Sequence, residues 1–307
     1  MRKVVVIAGQ SGLEIVQEFH QAGFQVLLVC GKEGESGAEI ADELVVKDLS
    51  CIEEVYEAFA SYSDLVFLGT GHYLAIDLAH YCVVKGCTLN FNHEAAALFK
   101  NKLKTHQFVK QLGYQSPLLY VISDETDTYT PDVWPVVLKS ERDTYKTELV
   151  NSVDEFSRVR DGMLATGSKI IIERFIDGYE VTLPVIADKD SVHAVTAALD
   201  MQGINEKAVS ILKGFDLKRE EKKLEKISTA VTPEMKSRIA TAAEDIIVKA
   251  GFFGYPRFDI MVEKDDFYIL EINSIMVTAV GGTHYPWDAV GINPARDMVQ
   301  LFIKHQK

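Results

Sequence analysis

The first 96 residues alternate short apolar segments with amphipathic ones, and this alternation restricts the fold more than any other feature of the chain. Four apolar, β-branched runs predict strands: KVVVIAG at 3–9, QVLLVCG at 25–31, ELVVKD at 43–48 and DLVFLG at 64–69. Helical patterns separate most of these runs. Strands that alternate with helices form parallel sheets with helices on both faces. The sequence therefore predicts an α/β unit with a parallel sheet over residues 1–96.

The pattern changes after this unit. The segment LFKNKLKTHQFVKQLGYQSP, at 98–117, predicts a helix that stops at Gly113 and Pro117. Residues 117–186 then show the order strand, strand, helix, strand, strand. A further helix has Thr232 as its N-cap and Gly251 as its stop. Turns and a closing helix complete the chain.

The segment YPRFDIMVEKDDFYILEIN, at 255–273, predicts a β-hairpin because apolar and polar residues alternate on both sides of a short acidic turn. A turn near Asp265 and Asp266 pairs odd-numbered positions with odd-numbered positions. Asp259 is therefore expected beside Glu271 and Asn273, with all three side chains on one face.

Two carboxylates and an amide oxygen on one face are costly unless a positive group lies between them. A hard cation such as Mg²⁺ prefers oxygen ligands and binds through carboxylates together with substrate phosphates. The hairpin therefore predicts a metal site at its open end. The alternative is a solvated edge with scattered charge.

Composition excludes some classes of function. The net charge of −13 at pH 7 argues against a nucleic-acid surface, which needs a basic face, and against docking on anionic membranes. The four cysteines show no zinc-type spacing, so thiols in a reducing cytosol are expected. No apolar run reaches the roughly 20 residues of a membrane span, and the apolar part of the amino-terminal segment is too short for a signal peptide. The sequence therefore predicts a cytoplasmic protein.

From about Leu98 to Phe302, this order of elements and residues resembles the ATP-grasp superfamily of carboxylate–amine ligases. The carboxy-terminal part looks most like D-alanine–D-alanine ligases and related amino-acid ligases. The resemblance implies a pre-ATP-grasp domain at 1–96 and an α+β ATP-grasp module at 97–307. Within the module it implies a lid subdomain at about 117–176 and a catalytic subdomain at about 177–307.

The resemblance also implies an ATP site. Lys102 and Lys139 match the phosphate-contacting lysines of the family, and a point cation is suited to neutralising phosphates in a partly dry cleft. The stretch IIIERFIDGYE resembles the segment that crosses the adenine. There Glu173 would accept from the adenine amino group, the backbone around Phe175 and Ile176 would hydrogen-bond the ring, and Glu180 would take the ribose hydroxyls.

By the same resemblance, Asp259, Glu271 and Asn273 would hold two Mg²⁺ ions, with Mn²⁺ as an alternative. Arg257 would stabilise the oxyanion of the reaction. The implied enzyme activates a small-molecule carboxylate as an acyl phosphate. It then joins the acyl group to an amine and releases ADP and phosphate. Homodimers are common in such families, so a homodimer is the assembly to test.

Two segments depart from the family pattern. The lid loop SERDTYKTELV contains no glycine, so Arg142, Thr144 or Lys146 would have to replace backbone amides at the phosphates. Where the family has Asn-x-x-Pro-Gly, this chain has NSIMV. That change disfavours D-alanine as the substrate, although Gly281 and Gly282 could still offer amides to a carboxylate.

Two other readings of the sequence stay open. The turn in VVVIAGQSG suggests a dinucleotide-binding oxidoreductase, but the full Gly-x-Gly-x-x-Gly pattern is absent. The glycine-free lid is also compatible with a non-catalytic, nucleotide-binding relative.

Overall fold

The computed structural model describes residues 2–70, 74–141, 147–194, 200–201, 231–275 and 293–306. The helices in these ranges are α1 Gly12–Gln21, α2 Ile52–Phe59, α3 Ala75–Val84, α4 His93–Lys100, α5 Lys102–Gln111, α6 Val153–Leu164, α7 Pro233–Ala250 and α8 Pro294–Lys304. The strands are β1 Arg2–Ala8, β2 Phe24–Cys30, β3 Glu43–Val46, β4 Leu65–Gly69, β5 Thr88–Leu89, β6 Leu118–Ile122, β7 Val136–Ser140, β8 Thr147–Val150, β9 Ile170–Arg174, β10 Tyr179–Ala187, β11 Val192–Ala194, β12 Asp200–Met201, β13 Arg257–Glu263 and β14 Asp266–Asn273.

The amino-terminal sheet is parallel, with the strand order β3-β2-β1-β4-β5. Its centre is fully buried, since Val4, Val5, Val6 and Ile7 have no exposed surface. A parallel strand covered on both faces is expected to be apolar at every position, which explains the unbroken apolar run of β1. The predicted α/β class is confirmed, and the structure adds the two-residue strand β5, which the sequence pattern did not reveal.

The carboxy-terminal helix α8 packs on this amino-terminal sheet. The ring of Phe302 lies 6.1 Å from that of Phe19 and 5.7 Å from that of Phe67, both edge to face. The last helix of the chain therefore completes the core of its first unit. The division at residue 96 stays a prediction, and residue 96 itself lies inside α4.

The helix predicted over residues 98–117 is two helices in the structure. Asn101 has an extended ψ of 105°, which ends α4, and its side chain accepts a hydrogen bond from the Lys104 N–H at 2.9 Å. Asparagine favours such caps because its short side chain competes for nearby backbone groups. Helix α5 therefore takes its own direction, with Lys102 as its first residue.

A second sheet is antiparallel, with the order β6-β9-β7-β8, and α6 packs on it. Its edge strand β8 lies within the segment that the sequence analysis treated as a loop. Val150 of β8 is buried opposite Val136, whereas Glu148 faces solvent. A four-residue edge strand with two polar residues gives too short an alternation to be recognised in the sequence.

The third sheet has the order β11-β10-β13-β14, and β12 also pairs with β10. Helix α7 covers one face of it and has the predicted caps. The Thr232 hydroxyl accepts from the Met235 N–H at 3.1 Å, and Gly251 is left-handed with a φ of 63°. Within the described ranges, none of the helices is long and apolar enough to cross a membrane.

Candidate active site

The third sheet has one apolar face and one polar face. Its apolar face belongs to the large core that includes α7, with Val181, Leu183, Phe258, Ile260 and Ile272 at most 1% exposed. The opposite face carries polar side chains from three adjacent strands: Glu180 and Thr182 on β10, Arg257 and Asp259 on β13, and Glu271 and Asn273 on β14. The strand register therefore gathers the polar residues on the side away from the core.

A one-residue irregularity in the hairpin is needed for this arrangement. The turn at Lys264, which has a φ of 54°, pairs Glu263 with Asp266, an odd position with an even one. The register shifts between Asp259 and Ile260 and leaves Leu270 without an opposite residue, as in a β-bulge. Beyond the shift, Asp259 pairs with Glu271 and Arg257 with Asn273. The predicted juxtaposition of Asp259 and Glu271 is confirmed, although the sequence analysis did not foresee the bulge that produces it.

Asp259 is the centre of a hydrogen-bonded cluster. Arg257 donates to both of its oxygens, from Nε at 3.0 Å and from Nη2 at 2.8 Å. Asn273 donates its amide N–H to Asp259 at 2.9 Å, and the Thr182 hydroxyl donates at 3.5 Å. Burial would lower the pKa of Arg257, but the carboxylates of Asp259, Glu271 and Glu180 raise it. The guanidinium is thus held charged and in a fixed orientation.

A second cluster lies on the antiparallel sheet β6-β9-β7-β8 and on α5. The Lys139 ammonium is 2.7 Å from Glu173 Oε2, and His106 Nε2 donates to Glu173 Oε1 at 2.9 Å. Burial would raise the pKa of Glu173, but the Lys139 charge and the His106 hydrogen bond lower it to about 2. Glu173 is therefore ionised and engaged at both oxygens by protein donors.

The two clusters lie near each other, because the Glu271 carboxylate acts on the charges of both Lys102 and Lys139, and we call the region between them the cleft. Burial lowers the pKa of Lys102, the Glu271 carboxylate offsets part of this change, and the neighbouring charge of Lys139 lowers it further. The pKa of Lys139 is in turn raised by Glu173, Glu271 and Glu180, against the effect of burial. The ammonium groups of Lys102 and Lys139 repel each other, so an anion between them is favourable. The nearby carboxylates in turn favour cations, so the site suits an anion that carries bound cations.

The connection between β9 and β10 brings Glu180 into register. Gly178 lies so close to β13 that a Cβ there would be 2.1 Å from the Val262 carbonyl oxygen, which requires glycine at this position. Ile176 is buried, and the Phe175 N–H donates to the Pro135 carbonyl at 3.4 Å. The predicted adenine contacts of this segment stay predictions.

The donor set of the hairpin fits a hard cation. Glu271 offers carboxylate oxygens, and Asn273 has a carbonyl oxygen besides the amide nitrogen that donates to Asp259. Asp259 accepts from Arg257, Asn273 and Thr182, so a bound cation would replace one of these donors at its oxygens. In the described part of the chain, His, Cys, Asp and Glu residues do not form a metal-binding group of three or more. A metal site on the hairpin would therefore need the asparagine as its third ligand, and this ligand set stays a prediction.

Some predicted site residues cannot be placed. Arg142, Thr144 and Lys146 of the predicted lid, and Gly281 and Gly282 of the predicted substrate segment, lie outside the described residues.

Three residues of the site were missed by sequence reasoning: His106, Ser116 and Thr182. A weak signal existed for His106, because it follows Lys102 by four positions and so lies on the same face of a helix. Thr182 could have been found from its spacing of two residues from Glu180 on one strand.

Comparisons with known proteins agree with this geometry. The D-alanine–D-alanine ligase of Saccharophagus degradans is 23% identical over 197 residues, which cover 60% of this chain and 58% of that protein. The chain thus matches less than two thirds of this curated relative's length. The D-alanine–D-alanine ligase of Bacillus anthracis, solved with ATP, has a TM-score of 0.74 at 16% identity, over 99% of this chain and 96% of that chain.

A biotin carboxylase domain has the same fold. It comes from the 2-oxoglutarate carboxylase of Hydrogenobacter thermophilus and was solved with MgADP and bicarbonate. It has a TM-score of 0.78 at 16% identity, over 98% of this chain and 69% of that chain. At such identities these two structures establish the fold alone. The sequence model of the ATP-grasp domain matches residues 99–279, which is more than half of the chain. The protein therefore belongs to the ATP-grasp domain family.

Proposed function

We propose that this protein is an ATP-dependent ligase that activates a small-molecule carboxylate as an acyl phosphate and joins it to an amine, releasing ADP and phosphate. The observation that carries the proposal is the closeness of Lys102 and Lys139 to the carboxylates of the third sheet across the cleft: α5 packs against β14, and Glu271 acts on the charge of both lysines. A nucleoside triphosphate with bound cations satisfies both sides of this cleft, because its phosphates need ammonium groups and its cations need carboxylates.

Each residue of the cleft has a role in this proposal. Lys102 and Lys139 bind the phosphates, Glu180 accepts from the ribose hydroxyls, and the segment at Phe175 and Ile176 lies along the adenine. Asp259, Glu271 and Asn273 would hold Mg²⁺ or Mn²⁺, which would neutralise charge on the transferring phosphoryl group. These assignments rest on the family resemblance and on the geometry described above.

Arg257 is suited to stabilising the oxyanion that forms when the amine attacks the acyl phosphate. A guanidinium has five N–H donors, and the two that hold Asp259 fix its plane. None of the described residues accepts from its remaining donors, whose direction is set by the protein before the reaction begins. A preorganised donor of this kind stabilises developing charge without reorganisation during the step.

The amino-terminal glycines do not favour the alternative of a dinucleotide-binding oxidoreductase. A Cβ on Gly12 would lie 1.9 Å from the Ser36 carbonyl oxygen, and a Cβ on Gly37 would lie 2.6 Å from the Gly12 carbonyl carbon. The first turn and the segment after β2 therefore approach each other too closely for side chains. Packing accounts for Gly12, and no dinucleotide is needed to explain it.

The test is a screen of amino acids and small diacids for ADP and phosphate formation with ATP and Mg²⁺. The Glu271→Gln variant should lose Mg²⁺-dependent turnover, whereas Glu234→Gln, at an exposed position of α7, should retain it. Formation of AMP would contradict the acyl-phosphate route. Binding of ATP without turnover on any pair of substrates would favour a non-catalytic relative. The homodimer stays a prediction.

A further inference from the structure

A hydrogen-bonded chain leads from the half-buried Ser116, just after α5, through the buried His106 and Glu173 to Lys139. The Ser116 hydroxyl is 2.8 Å from His106 Nδ1, His106 Nε2 is 2.9 Å from Glu173 Oε1, and Glu173 Oε2 is 2.7 Å from the Lys139 ammonium. The Leu118 N–H reaches the Ser116 oxygen at 3.4 Å. Because the Glu173 carboxylate can only accept, His106 Nε2 carries the proton donated to it, and in that tautomer Nδ1 accepts from the Ser116 hydroxyl.

The members of this chain differ in their access to the cleft. The His106 and Glu173 side chains are 1% and 3% exposed, whereas the Lys139 side chain is 16% exposed. Of the histidine, the glutamate and the lysine, the lysine alone has enough exposed surface to reach a ligand in the cleft. His106 lies behind Glu173 and can affect a ligand only through it.

We propose that His106 is a positioning residue that holds the Glu173 carboxylate so that Lys139 presents its ammonium to the phosphates of the bound nucleotide. This inference rests on the proposed function, because it assumes that Lys139 binds phosphate. The physical reason is competition for the carboxylate. With one oxygen committed to His106, Glu173 holds Lys139 through the other oxygen alone.

Loss of His106 would free the carboxylate to turn. Both oxygens of Glu173 could then accept from Lys139, and the ammonium would be drawn away from the cleft toward the interior. In this inference Glu173 acts on the phosphates through Lys139, and not as the predicted acceptor for the adenine amino group. The affinity for ATP should therefore fall, whereas the affinity for adenosine should stay the same.

The experiment measures the dissociation constants of ATP–Mg²⁺ and of adenosine by calorimetry for the wild-type protein and three variants. His106→Ala should weaken ATP binding about tenfold, the loss expected for one hydrogen bond to a charged group. His106→Gln should restore most of the affinity, because its amide N–H can still donate to Glu173. Val109→Ala, at a buried position on the same helix, should lower the melting temperature and leave both dissociation constants unchanged.

The outcomes separate this inference from the proposed function. If the wild-type protein binds no ATP, the proposed function fails and this inference fails with it. If the wild-type protein binds ATP and His106→Ala binds it equally well, only the inference fails. An equal loss of affinity for ATP and for adenosine would also overturn the inference, because it would show that the hydrogen-bonded chain supports binding of the adenine and not of the phosphates. Should His106→Ala not fold, Ser116→Ala replaces it, with an expected loss of about twofold to threefold in ATP affinity alone.

Discussion

Two carboxylates in this protein are each held by one lysine and one histidine. Glu173 is held by Lys139 and His106, and Asp188, just after β10, is held by Lys304 and His305 at the end of α8. In both cases burial would raise the pKa of the carboxyl, and the bound cation and hydrogen bonds instead lower it to about 2. The two sites thus share the same chemistry and nearly the same degree of ionisation.

Their surroundings differ. The Glu173 side chain is 3% exposed, and its lysine 16% exposed, whereas the lysine that holds Asp188 is 61% exposed. Asp188 also accepts from the Lys189 backbone N–H at 2.6 Å, and its basic partners lie at the carboxy terminus of α8, where positive charge is favourable. Asp188, which is 13% exposed, binds the end of a helix through one exposed lysine and one largely buried histidine, whereas Glu173 holds a largely buried lysine beside the cleft. Burial, more than the set of partners, determines what such a group does.

The largest expected effect is that of Glu173→Gln. This change leaves the Lys139 ammonium without its nearest anion in a mostly buried position. The free energy of unfolding should fall by about 3 kcal/mol, because removing one partner of a buried ion pair exposes the cost of burying the other. Chemical denaturation monitored by circular dichroism measures this loss. A loss no greater than that of Asp188→Asn would break the contrast between the two sites.

Acidification should remove both contributions at the same low pH. A carboxyl whose pKa is lowered by folding stabilises the protein fully above its unfolded pKa, and this contribution is lost as pH falls through its folded pKa. The pKa of Glu173 is lowered from 4.5 to about 2, so its contribution of roughly 3 kcal/mol should decline between pH 5 and pH 2. The difference in stability between wild-type protein and Glu173→Gln should shrink over that range. A constant difference would contradict this assignment.

Asp188→Asn should have a smaller effect than Glu173→Gln. It removes the charge that binds Lys304 and His305, but the exposed Lys304 can turn to water, so the free energy of unfolding should fall by about 1 kcal/mol. The dissociation constant for ATP–Mg²⁺ should not change, because Asp188 lies apart from the residues of the cleft. Weaker ATP binding would mean that the end of α8 is coupled to the site.

Lys304→Met should have the smallest effect, since this lysine is largely exposed. We expect a decrease in melting temperature of about 1 °C or less at low salt, as for an exposed ion pair. Screening should abolish the difference in 1 M NaCl. A decrease that persists in high salt would show that the lysine contributes through packing.

The parts of the molecule that follow from local pattern were predictable. The α7 caps at Thr232 and Gly251 have local signals, and so do the hairpin and its pair of carboxylates. The parts that failed depend on contacts between distant segments. His106 meets Glu173 across 67 positions, and the strand β8 is defined by its pairing with β7. The break at Asn101 had a local signal, but the helical pattern on both sides of it concealed the boundary.

The bulge in β14 has a consequence for how this strand can vary in length. Leu270 is the residue without an opposite partner, so a chain that lacked it would keep Asp259 opposite Glu271 in an uninterrupted ladder. Loss of Ile272 instead would move Asn273 to the apolar face, because neighbouring strand residues point to opposite sides. Deletion of Leu270 at the bulge would therefore preserve the polar face. Deletion of Ile272, two positions later, would remove the asparagine from that face.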